Sequence, residues 1–145
     1  MRAVLDANIL ISAILSPRGT PARLLLAWQA GAFELVVSPA LLAELARALA
    51  YPKLARLIAP ADADAFVTWV ARSAVLAADP GNAPSVRSAD PNDDYLVALT
   101  RSAGAAALVS GDAHLVDLPP HVCRVLTPRA AVELVEEIDE AHPPT

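Results

Sequence analysis

Residues 34–50, ELVVSPALLAELARALA, change pattern once and abruptly. ELVV (34–37) is a short apolar run of the kind that forms a buried strand. Ser38-Pro39 then supplies an N-cap hydroxyl and a proline at the first helical position. LLAELARALA continues with apolar residues at helical spacing and is stopped by Pro52. A strand passing directly into a helix is the repeating unit of a parallel α/β sheet, and this requirement constrains the fold more than any other feature of the chain.

The same succession recurs. AVL (3–5) reads as a strand followed by a helix NILISAIL (8–15). Thr20-Pro21 opens a helix that Gly31 stops. Lys53–Ile58 reads as a short helical turn, 60–73 as a helix and Val75–Leu76 as a strand. Residues 78–91 read as a loop. A helix over 91–103 is stopped by Gly104, strand AALVS (106–110) follows, and VCRVL (122–126) is the last strand. Thr127-Pro128 opens the terminal helix, and 141–145 read as a frayed tail. The expected architecture is α/β, a three-layer α/β/α sandwich with a central parallel sheet. A chain of 145 residues, 55% hydrophobic, suits one domain over 1–145.

Composition excludes several classes. No run of about 20 uncharged apolar residues exists, so no membrane span is expected. The N-terminus MRAVLDANIL has no cleavage-site pattern, and a single cysteine, Cys123, forms no internal disulfide, so a cytoplasmic protein is expected. His114, His121 and His142 match no zinc spacing. A net charge of −5 argues against a generally basic surface, although four acids bound to cations would leave the rest near neutral.

The acids fall where chemistry is expected. In open parallel sheets the binding crevice lies at the carboxyl ends of the strands. Asp6 directly follows strand AVL, and Asp112 lies two residues after AALVS. Glu44 lies on the helix leaving ELVV. Asp93 and Asp94 lie in the first turn of the helix leading into AALVS. Carboxylates gathered at one sheet edge need a counter-charge, and Mg²⁺ or Mn²⁺ prefers such oxygen ligands. A cation of this kind acidifies water and polarises phosphoryl oxygens without help from His or Cys. Each acid also has a bland reading: Asp6 or Asp112 as a helix N-cap, Glu44 as a solvated helix residue. It is the set that points to function.

In DPNDD (90–94), Asp90-Pro91 reads as a cap and first-position proline. Helical rotation of ~100° per residue places Leu96 near ~300° and Leu99 near ~240° from Asp93. Asp93 therefore borders the apolar face, while Asp94 lies on the far side, toward Arg101.

Four segments, VLDANILISA, SPALLAELARAL, DPNDDYLVAL and LVSGDAHL, occur in an order that resembles a PIN domain, in the branch that includes VapC-type toxins. The resemblance covers nearly the whole chain. It implies a homodimeric, Mg²⁺- or Mn²⁺-dependent ribonuclease, with Asp6, Asp93, Asp112 and Glu44 as catalytic metal ligands and Asp94 as the alternate. Glu44 would act directly or through water, and one or two ions would be held. Asn8 and Ser110 would orient ligands or water. Arg18 and Arg87 would contact RNA phosphates from the rim. In the toxin branch a small antitoxin protein would block the groove. Two alternatives stand beside this reading. One is a non-catalytic PIN fold that binds RNA or protein. The other is a haloacid-dehalogenase-like phosphatase, disfavoured because Asn8 stands where a second Asp is needed and the lone Lys53 is early in the chain.

Overall fold

The computed structural model describes residues 1–81 and 91–141; Arg87, Asp90 and the tail from 142 lie outside the described residues. The element order is β1 (Arg2–Leu5), α1 (Ala7–Leu15), α2 (Thr20–Gln29), β2 (Glu34–Val37), α3 (Pro39–Leu49), α4 (Pro52–Ala55), α5 (Pro60–Ser73), β3 (Val75–Leu76), α6 (Pro91–Ser102), β4 (Ala107–Val109), α7 (Ala113–Val116), β5 (Val125–Leu126) and α8 (Pro128–Ala141). The five strands form one all-parallel sheet in the order β3-β2-β1-β4-β5. Eight helices among the described residues flank it, as a three-layer α/β/α sandwich.

Strand β1 is central: Val4 stands opposite Val36 of β2 and Leu108 of β4. Strands covered on both faces need continuous rather than alternating apolar character. Val4, Leu5, Leu35, Val36, Val37 and Leu108 accordingly are all buried. On one helix wall Trp28 of α2 meets Trp69 of α5, ring centroids 4.9 Å apart, so both tryptophans serve packing.

The helix boundaries follow local chemistry. Ser38 caps α3, its Oγ accepting from the Leu41 N–H at 3.2 Å, and Thr127 caps α8 by accepting from Ala130 at 3.1 Å. Thr20 departs from the expectation. It is already helical, and Gly19 occupies the cap with no side-chain hydrogen bond. Helices α2 and α6 both end in a Schellman turn: Ala32 N–H donates to Ala27 O and Ala105 N–H to Thr100 O. The intervening Gly31 and Gly104 have φ of +86° and +63°, a region in which a Cβ is strained.

The last strand is shorter than 122–126. Val122 and Cys123 turn their N–H groups to Pro119 O, and only from Arg124 O onward does the chain pair with β4. Cys123 is buried just ahead of β5 rather than in it.

Candidate active site

The strand order reverses at β1. The chain runs from β1 outward through β2 to β3, and then β4 is laid on the other flank of β1. Such a switch point opens a crevice beyond the strands' carboxyl ends. Asp6 is the first residue past β1, and its backbone N–H donates to Val109 O at the end of β4, 3.0 Å away. Backbone pairing thus fixes the aspartate at the mouth of the crevice.

The Asp6 carboxylate has two described roles. Its Oδ1 accepts from the Asn8 N–H at 3.3 Å and caps α1. Its Oδ2 accepts from the Ser110 hydroxyl at 3.2 Å. Ser110 is fully buried, and its Oγ in turn accepts from the Asp112 N–H at 3.1 Å. Asp112 caps α7 by accepting from the His114 N–H at 2.8 Å. For both aspartates the bland reading holds as geometry, and capping does not exhaust them. A carboxylate has about four lone-pair sites, and a cap needs one.

Helix α6 brings the third acid. Its apolar stripe, Leu96 and Leu99, is buried, and the helix packs on β1 and β4. Asp93, beside that stripe, is 5% exposed; Asp94 is only partly buried. A cavity of about 400 Å³ lies between these elements, lined by Asp6, Asn8, Ile9, Ser12, Asp93, Gly111 and Asp112. Three of the predicted acids and Asn8 therefore share one space. Asp94, Glu44 and Arg18 do not line it, and Arg18 is exposed in the turn between α1 and α2.

Among the described residues, no three His, Cys, Asp or Glu side chains form a group that could hold a metal ion as they stand. The donors do fit a hard cation by type: three carboxylates, an amide and a hydroxyl around a roomy polar cavity. Mg²⁺ asks for no all-protein cage, since it commonly keeps several waters and is held by one or two carboxylates plus substrate phosphate.

Beyond β2 and β3 lies a second polar cluster that the sequence reading did not single out. The Tyr95 hydroxyl, on α6, hydrogen-bonds to Ser38 Oγ and donates to Asp79 Oδ1. Asp79 also accepts from the Ala40 N–H at 3.2 Å. Burial and the bond to Asp79 push the Tyr95 pKa up to about 12, and the charge of Glu44 adds to the rise. Asp79 is held below its ordinary 3.8, chiefly by the Tyr95 hydroxyl. Glu44 is half-buried on α3 and does not line the cavity. A signal for this cluster existed. Asp79 lies three residues past the end of β3, and Tyr95 stands two residues after Asp93.

The sequence profile of the PIN domain family matches residues 2–114, from β1 through the first residues of α7, and so takes in all of the acids discussed. No curated protein matches the chain.

Proposed function

The chain belongs to the PIN domain family, and from that premise we propose that it is a metal-dependent endoribonuclease, working as the toxin of a toxin–antitoxin pair. PIN domains are generally nucleases and generally use divalent metal ions. The observation that carries the reading here is the convergence of Asp6, Asp93 and Asp112 on one cavity at the sheet's switch point.

Asp6, Asp93 and Asp112 would hold Mg²⁺ or Mn²⁺, with Glu44, which does not line the cavity, contributing through water and Asp94 as the alternate ligand. The ion supplies Lewis acidity toward a scissile phosphodiester and acidifies water at neutral pH. The protein's own part is positioning. Ser110 holds Asp6 Oδ2 and the Asp112 backbone in one hydrogen-bonded chain. The Asn8 N–H fixes the other Asp6 oxygen, and the Asn8 side chain lies on the cavity wall. Ordered partners of this kind set ligand orientation. Arg18, exposed after α1, and Arg87 would meet RNA phosphates. The toxin assignment, with a homodimer and a small antitoxin partner, rests on the resemblance of the four acidic segments to VapC-type chains.

Purified protein with Mn²⁺ is expected to cleave single-stranded RNA and to stop when EDTA is added. RNA left intact at all Mn²⁺ concentrations by folded protein would favour a non-catalytic PIN fold instead. Induced expression of the wild type, and not of Asp6→Asn, is expected to arrest growth; equal growth of the two would contradict the toxin role.

A further inference from the structure

The Ser38–Tyr95–Asp79 cluster has no part in the acid cavity, yet it shares a helix with it. Asp93 and Tyr95 are two residues apart on α6, about 200° around the helix axis. Between them runs the buried stripe of Leu96 and Leu99, packed toward β1 and β4. An apolar stripe fixes depth well but resists rolling poorly, because dispersion contacts are not directional. The directional contact on the far side is the Tyr95 hydroxyl. It reaches Ser38 at the end of β2 and Asp79 beyond β3, on the flank of β1 opposite β4. Ser38 is fully buried and caps α3, and Asp79 is anchored by the Ala40 N–H of the same helix. The hydroxyl's partners are therefore themselves fixed, and fixed to the helix that carries Glu44.

We propose that Tyr95 is a positioning residue: its hydroxyl, bridging Ser38 and Asp79, stops α6 from rolling and so keeps the Asp93 carboxylate in the cavity, in register with α3. Rolling that carried Asp93 out of the cavity would pull the hydroxyl off both partners. The inference rests on the reading of the cavity as a divalent-cation site and deepens it.

Calorimetric titration of the intact protein with Mn²⁺ alone, without RNA, tests it. Tyr95→Phe keeps the ring and removes both hydrogen bonds. Its Mn²⁺ affinity is expected to fall about tenfold, the lower end of what losing a supporting partner costs. Asp79→Ala, an exposed change, is expected to weaken Mn²⁺ binding about threefold. Asp79→Asn, whose amide oxygen still accepts from the hydroxyl, is expected to stay within about twofold of wild type. A purely structural role would lower the melting temperature and leave the Mn²⁺ affinity of the folded protein unchanged. If the wild type binds Mn²⁺ and both Tyr95→Phe and Asp79→Ala bind it equally well, this inference is overturned and the nuclease reading stands. If the wild type binds none, both fall together.

Discussion

Asp6 and Ser38 do the same local job at neighbouring strands. Each is the first residue past its strand, β1 or β2, and each caps the helix that follows. Ser38 does so with a neutral hydroxyl, fully buried and bonded to Tyr95 and the Leu41 N–H. Asp6 does so with a carboxylate that opens onto a cavity shared with Asp93 and Asp112. Capping alone does not require that charge, since Ser and Asp are about equal caps. Setting the two side by side separates what the fold needs from what the site adds. The β2 edge closes on itself, whereas the β1/β4 edge gathers like charges around open space.

The comparison breaks most sharply at the capping residues themselves. Asp6→Ser is expected to keep the α1 cap, with stability within about 0.5 kcal/mol of wild type, and to lose RNA cleavage by about 100-fold or more, beyond the cost of losing a mere supporting partner. Ser38→Ala is expected to do the reverse, losing about 1–2 kcal/mol of stability while cleavage falls by about tenfold or less. Urea denaturation and a cleavage assay on the same preparations check both. If Asp6→Ser kept full cleavage, the carboxylate would be only a cap.

A smaller effect sharpens the other edge. The pKa of Asp79 is lowered in the fold, mainly by the Tyr95 hydroxyl. The native state therefore binds its proton less readily than the unfolded chain does. The resulting stability is present above the ordinary carboxyl pKa of 3.8 and is lost as pH falls through the lower, folded value. Asp79→Asn has no proton to bind there, so its stability should decline less than that of the wild type between pH 4 and pH 2. Parallel acid profiles for the two proteins would argue against the hydrogen bond.

Much of this was legible in the sequence, because the governing signals are local. Ser38-Pro39 and Thr127-Pro128 mark helix starts, and Gly31 and Gly104 mark stops, through backbone chemistry carried by one or two residues. The parallel sheet follows from strands passing straight into helices, and the burial of Asp93 follows from its angle to Leu96 and Leu99. What sequence spacing does not carry is side-chain reach between elements. Glu44 sits on the expected helix, yet only the fold shows it off the cavity wall. The bridge from Tyr95 to Asp79 joins residues 16 apart in the chain, and no periodicity encodes it. Short strands fail for a related reason. VCRVL has strand composition throughout, but the Pro119 turn takes the first two N–H groups out of the ladder.

The two adjacent aspartates of α6 offer the most direct test. Asp93 is buried on the cavity wall, and Asp94 is not among the residues that line it. Asp93→Asn and Asp94→Asn remove the same charge from neighbouring positions of the same helix turn, so general electrostatics and helix propensity change almost equally. Single-turnover cleavage of single-stranded RNA at saturating Mn²⁺ should fall by about 100-fold or more in Asp93→Asn and by less than about threefold in Asp94→Asn, the effect of a charge at the edge of the site. Loss of cleavage in Asp94→Asn with full cleavage in Asp93→Asn would contradict the account.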